Sequence, residues 1–363
     1  MRILQLIDTL DPGGAERMAV NMANTFHEMQ IPNCLVVSRS QGQLGSLIID
    51  QNSVSILGKK NTFDIKAFWK LRAIVKEFRP DIIHAHSTSI YWAIGLKFIF
   101  SRAKLIWHDH LGISEDVIKN NPRHELKLMA PWIDLVITAN ESTAAFWVDQ
   151  KFKSTDKIQY LANFPYLKVK KKVKSDVFTF LHLANFRSEK GQKTLILASK
   201  RLSDTGLKFK ARLVGKKVDI DWWEACSQMI SKLGLATHVF LEEARADVDQ
   251  LMAEVDAGLV ASDREGLPVA LLEYGLAGLP VISTDVGQCP MVLEKGKYGE
   301  LVNPGDAIGL ADAMEKLIAN PQTAIESGQR FQTHIHESYG ASFFIEKYAD
   351  ILERNFHQKL TQN

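Results

Sequence analysis

Cysteine and net charge are both scarce in this 363-residue chain. Only Cys34, Cys226 and Cys289 occur, far apart in the sequence. This spacing suggests neither a disulfide framework nor a structural zinc site. The 44 basic and 42 acidic residues leave a net charge of +2. A protein that binds nucleic acid needs a strongly basic surface, so we expect no nucleic-acid partner.

Long hydrophobic runs are absent as well. The most apolar segment, residues 90–100, has about half the ~20 residues that cross a bilayer, and it contains Lys97. Residues 1–7 begin a strand-like pattern at once and lack the features of a secretory signal. We expect a soluble, cytoplasmic protein, and leave open a peripheral contact at the inner face of the cell membrane.

The remaining composition, 46% hydrophobic and 24% charged, suits a chain of two globular domains. Short β-rich runs alternate with longer helical stretches, which predicts two doubly wound, Rossmann-like α/β domains. The predicted strands are residues 3–7, 34–37, 53–57, 81–85, 105–107, 135–138, 178–183, 211–214, 239–241, 258–261 and 281–284.

A lysine-rich stretch interrupts the apolar pattern at residues 168–174. We place a basic linker at residues 169–174, between a first domain of residues 1–168 and a second domain of residues 175–340. The stretch is either a solvated connector or a contact with an anionic membrane, worth about 1 kcal/mol per lysine near the surface. Apolar residues at helical spacing predict that residues 341–363 form a helix that packs back on the first domain.

Two segments have the residue types of a ligand site. Gly13 and Gly14 follow the first strand and begin a helix, where backbone amides attract phosphate, although a simple tight turn is the alternative. The three-glycine dinucleotide fingerprint is missing, which disfavours a nicotinamide-dependent dehydrogenase. In the second half, Glu265 precedes a helix that Pro268 is expected to begin, and Glu273 lies about two turns further. Such carboxylates either accept hydrogen bonds from sugar hydroxyls or are solvated helix acids.

Two patterns imitate metal sites. Asp219-Ile220-Asp221 looks like a metal-binding Asp-x-Asp motif, but its position at a helix start predicts a cap. Histidines occur in two pairs at strand ends, 84 with 86 and 108 with 110. We expect the alternation of strand side chains to leave one histidine of each pair on a given side, and therefore no metal site.

The order of the motifs is informative as a set. The first motifs along the chain are Gly13-Gly14-Ala15-Glu16, residues 81–86 and Lys190-Gly191. They are followed by Glu265-Gly266-Leu267-Pro268, Glu273, residues 278–282 and residues 285–287. In this order they resemble glycosyltransferase family 4 over nearly the whole chain. The resemblance implies the GT-B fold, with two domains facing across a cleft that closes on its substrates.

The resemblance also implies an activity. A retaining transferase would move a sugar from a nucleotide sugar, UDP-linked in preference to GDP-linked, to a glycan or lipid-linked acceptor in polysaccharide or lipopolysaccharide biosynthesis. It would need no metal or other cofactor, because cationic side chains and helix N-termini can stabilise the departing diphosphate. The departing phosphate would accept the proton of the attacking hydroxyl.

The resemblance assigns roles residue by residue. The first domain would be the acceptor side and the second domain the donor side. In the second domain, Glu273 would bind the ribose, and Lys190 would bind the diphosphate. The family arginine position holds Asn185, so we predict that Arg187 supplies that charge. Glu265 would face the donor sugar, together with the backbone of Gly266, Leu267 and Pro268.

In the first domain, Gly13 and Gly14 would lie against the diphosphate or the acceptor, and His110 would bond a sugar hydroxyl or orient the acceptor. His108 replaces His110 if the register is shifted by two. Two rival functions stay open: a nucleotide-sugar epimerase, and a catalytically silent nucleotide-sugar-binding protein. Asn185 and Gln288 favour the second rival because they depart from the family pattern.

Overall fold

The computed structural model describes residues 1–110, 123, 125–173, 175–245 and 247–360. The chain divides into two compact units, one of residues 1–164 with 341–363 and one of residues 165–340. Each unit is built around a single parallel sheet. Strand pairing inside each sheet is parallel throughout, as expected when helices connect successive strands.

The first unit has a seven-stranded sheet in the order β3-β2-β1-β4-β5-β6-β7. Its strands are β1 Ile3–Thr9, β2 Asn33–Ser40, β3 Val54–Ile56, β4 Ile82–His86, β5 Lys104–Asp109, β6 Leu135–Thr138 and β7 Ile158–Tyr160. Among the described residues up to the boundary, its helices are α1 Gly14–Glu28, α2 Ile65–Phe78, α3 Ile90–Ile99, α4 Glu125–Met129 and α5 Glu141–Asp149.

The second unit has a six-stranded sheet in the order β10-β9-β8-β11-β12-β13. Its strands are β8 Phe178–Leu183, β9 Phe209–Gly215, β10 Val239–Glu243, β11 Ala257–Val260, β12 Val281–Thr284 and β13 Glu300–Val302. Its helices are α6 Gln192–Asp204, α7 Ile220–Lys232, α8 Val248–Ala253, α9 Val269–Leu276, α10 Cys289–Val292, α11 Ala307–Ala319 and α12 Pro321–Tyr339.

The last helix, α13, spans Ala341–Phe356 and belongs to the first unit. Its apolar face carries Phe344 and Tyr348, both buried. Phe344 packs against Phe164 at the end of the first unit, with 4.5 Å between ring centroids. The chain therefore leaves the first unit and returns to it at its end.

The prediction of two Rossmann-like domains is confirmed, and each predicted strand occurs. We did not predict β7 and β13 from the sequence. Both are three-residue edge strands with partly exposed side chains, so neither has the continuous apolar run that marked the inner strands.

The boundary between the units lies after Phe164, four residues earlier than we predicted. The lysine-rich stretch packs on the second unit. Val173 donates its backbone amide to the Ala253 carbonyl at 2.8 Å. Lys170 and Lys172 form ion pairs with Asp249 and Asp256 at 3.2 and 3.0 Å. This stretch, which we call the lysine-rich strap, is therefore held on the second unit by a hydrogen bond and ion pairs and is not simply a solvated connector.

Three smaller expectations concern caps, thiols and apolar helices. The Asp219 side chain accepts the backbone amide of Trp222 at 2.9 Å and caps α7, which confirms the capping interpretation. The three cysteines are buried and their thiols are free. Among the described residues, no helix combines the length and apolarity that crossing a membrane requires.

Candidate active-site residues

The second sheet brings Lys190 and Glu265 together at the carboxyl ends of its central strands. Lys190 follows β8 and Glu265 follows β11, and these strands are neighbours. Lys190 Nζ lies 2.7 Å from Glu265 Oε1, and Ser262 Oγ donates to the same oxygen at 2.6 Å. The side chains are 24% and 10% exposed, so the pair is reachable but partly shielded.

Two glycines hold the loops that carry this pair. Gly191 has φ +67°, and a Cβ there would lie 1.8 Å from the Ala261 carbonyl oxygen. Gly287 has φ +55°, and its Cβ would lie 2.1 Å from the Glu265 carbonyl oxygen. Any larger residue at either position would move the loop of Lys190 or Glu265. The motif at residues 285–287 therefore supports the loop that begins at Glu265.

His182 is a supporting residue that the sequence analysis missed. It is buried in β8, with Nε2 3.0 Å from the Lys190 carbonyl oxygen and Nδ1 3.1 Å from the Leu259 carbonyl oxygen. Burial lowers its pKa, whereas the two carbonyls act in the opposite direction. The only sequence signal was a polar residue inside an otherwise apolar strand.

The segment after Glu265 leads directly into α9. Pro268 is the N-terminal cap of this helix, one residue before the first turn in which we predicted it. A Cβ on Gly266 would meet no atom within 4 Å, so the backbone there is open to a ligand. Leu267 is partly buried and packs on the core.

Glu273 lies within α9 and is 3% exposed. The solvated-acid interpretation is therefore wrong for this residue. Ionised carboxylates are rarely buried without a reason, because burial removes their hydration. This burial is consistent with a role in binding, which the structure leaves as a prediction.

Arg187 is adjacent to Lys190 in the chain but its guanidinium is directed elsewhere. Its side chain is half exposed, and Nη1 lies 3.9 Å from Glu189 Oε1. Asn185, at the family arginine position, accepts the Lys216 amide through Oδ1 at 3.2 Å. The structure thus groups Lys190 with Glu265 and pairs Arg187 with Glu189, and the role of Arg187 stays a prediction.

In the first unit, Gly13 is the N-terminal cap of α1 and its carbonyl accepts the Arg17 amide at 2.9 Å. A Cβ on Gly14 would meet no atom within 4 Å. Gly14 therefore leaves open space beside a helix N-terminus, where anions are favoured, whereas a Cβ on Gly13 would lie 2.2 Å from Glu16 Oε2.

Four histidines form one cluster, which we call the histidine cluster: His84 and His86 in β4, His108 in β5, and His110 directly after β5. Our expectation that each pair would be divided between two sides was wrong. Residues two apart in a strand share a face. Ring centroids lie 4.7 Å apart for His84 and His86, and 3.9 Å apart for His108 and His110.

Hydrogen bonds join the cluster to its surroundings. His84 contacts the Tyr348 hydroxyl at 2.9 Å and His108 at 3.2 Å. His86 contacts Gln5 at 3.1 Å and His110 at 3.0 Å. Burial lowers the pKa of His84 and of His110 to about 3 and holds the pKa of His86 and His108 well below the usual range, so the cluster is neutral at pH 7.

Nitrogens of His84, His86 and His108 lie within 4.8 Å of one another, as metal ligands can. Five of their six ring nitrogens already take part in the hydrogen bonds given above. The geometry is thus explained by hydrogen bonding. Our prediction of no metal site stays a prediction.

Two family models match the chain and together span most of it. The model described as Glycosyltransferase Family 4 matches residues 12–164. The model described as Glycosyl transferases group 1 matches residues 164–334.

Two relatives match this chain at low sequence identity. The N-acetyl-alpha-D-glucosaminyl L-malate synthase of Bacillus anthracis is 24% identical over 307 residues, covering 80% of this chain and 78% of the relative. The lipopolysaccharide core biosynthesis glycosyltransferase LpsD of Rhizobium meliloti is 23% identical over 354 residues, covering 94% and 95%.

Solved structures share the fold. Anabaena Alr3699/HepE in complex with UDP-glucose superposes with a TM-score of 0.78 at 21% identity, covering 98% of this chain and 100% of that one. Sucrose-phosphate synthase from Thermosynechococcus elongatus gives 0.73 at 16% identity, covering 98% and 100%.

Proposed function

The chain belongs to glycosyltransferase family 4 and has the GT-B fold, and on that premise we propose that it is a retaining transferase that uses a nucleoside-diphosphate sugar. We propose UDP as the nucleotide, with GDP as the second candidate. The acceptor would be a hydroxyl of a glycan or a lipid-linked glycan in surface-polysaccharide assembly. The names of LpsD and of the UDP-glucose complex support this choice.

The ion pair between Lys190 and Glu265 is the observation that carries the proposal. A departing nucleoside diphosphate gains negative charge as the glycosidic bond breaks, and the Lys190 ammonium would stabilise it. Lys190 and Ser262 both bind Oε1 of Glu265. Oε2 would accept a bond from a donor-sugar hydroxyl, because an ionised carboxylate is an acceptor only.

The other predicted residues complete the proposed site. Glu273 would bind the ribose hydroxyls, and the backbone of Gly266, Leu267 and Pro268 would face the sugar. Gly13 and Gly14 would lie against the diphosphate or acceptor, and Arg187 would turn from Glu189 to the diphosphate. The acceptor oxygen would attack the anomeric carbon on the leaving-group face, and the departing phosphate would take its proton.

Thermal shifts with UDP, GDP, ADP and CMP, each with and without magnesium, test the donor. Ligand at about 100 times its Kd stabilises by about 2.7 kcal/mol, which raises Tm by several degrees. We expect one nucleoside diphosphate to act without magnesium. A response that requires magnesium contradicts the metal-independent mechanism.

Product analysis then separates the rivals. We expect sugar transfer with the anomeric configuration of the donor, read by NMR. Conversion of the donor sugar without an acceptor indicates the epimerase. Tight nucleotide binding without transfer to any acceptor in an extract indicates the silent binding protein.

A further inference from the structure

A directed chain of hydrogen bonds runs from α1 to His110. It begins at the carbonyl of Ala23, which can only accept, and Asn33 donates Nδ2 to it at 3.5 Å. Asn33 therefore turns Oδ1 towards Gln5, whose Nε2 donates to it at 3.0 Å. This sets the orientation of the Gln5 amide, so its carbonyl oxygen faces His86.

The direction continues through the histidines. Gln5 Oε1 lies 3.1 Å from His86 Nε2, so Nε2 must carry the proton. A neutral imidazole has one N–H, so His86 Nδ1 is an acceptor. Its partner at 3.0 Å is His110 Nε2, which must therefore donate. This leaves His110 Nδ1 with a lone pair.

The last nitrogen of this chain of hydrogen bonds, His110 Nδ1, is left without a partner in the described part of the protein. Among the residues that the structure describes, none forms a hydrogen bond with His110 Nδ1, although the atom is buried. His86 and Gln5 are fully buried, so water does not compete for their hydrogen bonds. Both histidines are neutral at pH 7, as the chain requires, because burial lowers their pKa.

We propose that Gln5 and His86 are positioning residues that hold His110 in its Nε2–H tautomer, so that Nδ1 accepts a hydrogen bond from a sugar hydroxyl during transfer. The proposal rests on the proposed function for the sugar. An imidazole in the other tautomer would present an N–H at this position, so the sugar hydroxyl would have to accept there instead of donating. Loss of tautomer control in a histidine-dependent enzyme severely reduces turnover.

A second chain in the cluster provides the matched control. The Tyr348 hydroxyl contacts His84 Nδ1, and His84 Nε2 contacts His108 Nδ1. A phenol hydroxyl both donates and accepts, so this chain has no imposed direction. Tyr348→Phe removes a buried hydrogen bond from the same cluster without touching the bonds between Gln5, His86 and His110.

The first experiment reads the tautomer by NMR of the ¹⁵N-labelled histidine rings of the full chain, without any sugar. The His110 resonances are assigned by their loss in His110→Gln. We expect the Nε2–H form in the wild type and in Tyr348→Phe, and a mixture of tautomers in Gln5→Met. If Gln5→Met does not fold, Asn33→Leu is used in its place, because it removes the acceptor that orients the Gln5 amide.

Two spectra would overturn the proposal: an Nδ1–H form of His110 in the wild type, or an unchanged His110 in a folded Gln5→Met. A wild-type spectrum that changes on adding EDTA would also overturn it, because the ring nitrogens would then be metal ligands.

The second experiment measures steady-state sugar transfer. We expect kcat of Gln5→Met to fall by about tenfold or more with KM nearly unchanged, and Tyr348→Phe to stay within about twofold. A normal kcat in a Gln5→Met variant whose tautomer is mixed overturns the catalytic part of the proposal. A wild type that transfers no sugar overturns the proposed function alone, while the spectrum still decides the tautomer.

Discussion

The two units share one sheet topology but place opposite chemistry at the carboxyl ends of their strands. In the first unit, the histidine cluster is neutral, hydrogen-bonded and almost wholly removed from water. In the second unit, Lys190 and Glu265 form an ion pair that water reaches in part. The fold thus decides where functional side chains lie without deciding what chemistry they provide.

Burial explains the difference. An imidazole can be buried at modest cost because its neutral form keeps both hydrogen-bonding nitrogens. An ammonium or a carboxylate loses far more hydration, so it stays near water or pairs with an opposite charge. The first unit can therefore act through the direction of hydrogen bonds, and the second through charge.

The largest expected effect is on the charged side of this comparison. Lys190→Ala removes the cation that would stabilise the departing diphosphate, and we expect kcat to fall by about 10²–10³, or about 2.7–4 kcal/mol of barrier. Lys200→Ala is the control, since Lys200 is paired with Asp204 on the exposed face of α6. Near-normal turnover in Lys190→Ala, with Lys200→Ala equally unaffected, would remove Lys190 from the mechanism.

Two glycine substitutions test whether the loop of Glu265 in the second unit depends on the backbone at Gly287. Ala at Gly287 is strained by the positive φ and also meets the Glu265 carbonyl, whereas Ala at Gly206 is strained at φ +78° but meets no atom within 4 Å. We expect Gly206→Ala to lower the free energy of unfolding by about 1–2 kcal/mol and Gly287→Ala by about 1–3 kcal/mol more. Urea unfolding measures both. Equal losses would mean that the Glu265 carbonyl moves away from the new Cβ at little cost in free energy.

The neutral histidine cluster should make the free energy of unfolding depend on pH. In the unfolded chain histidines bind protons below about pH 6.5, whereas the buried ones resist protonation, so the unfolded state binds more protons and stability falls as pH falls. Each member of the histidine cluster should account for about 2 kcal/mol between pH 7.5 and pH 5.

His108→Gln should therefore lose less stability over this pH range than the wild type does. His357→Gln, at an exposed position, is the control and should follow the wild type. The free energy of unfolding at each pH is the measurement. A wild-type slope in His108→Gln would show that His108 takes up a proton over this pH range in the folded protein as it does in the unfolded chain.

The smallest expected effect concerns the lysine-rich strap. Lys170 and Lys172 are paired with aspartates of the second unit, which reduces the charge available to lipid headgroups. We expect no preference for anionic over neutral vesicles in flotation. Preferential flotation that disappears in Lys168→Gln/Lys171→Gln would instead establish the strap as a membrane contact.

Much of the candidate site in the second unit was predictable, because its residues lie in short motifs next to strong strand patterns. Lys190 and Glu265 were both predicted, and the strand order explains why 75 residues of separation end in a contact. The contact between Arg187 and Glu189 was not predicted. His182 was missed because a buried polar residue inside a strand has no spacing rule.

The sequence by itself determined the two parallel sheets, the order of the motifs and the family, because strand periodicity and loop motifs are local properties of the chain. The tertiary structure alone decided that four histidines share one face, that Gln5 links Asn33 to His86, and that Tyr348 contacts His84 from the far end of the chain. These contacts join residues up to 264 positions apart. They arise from burial and hydrogen-bond direction, which depend on every neighbour in space and on no spacing in the sequence.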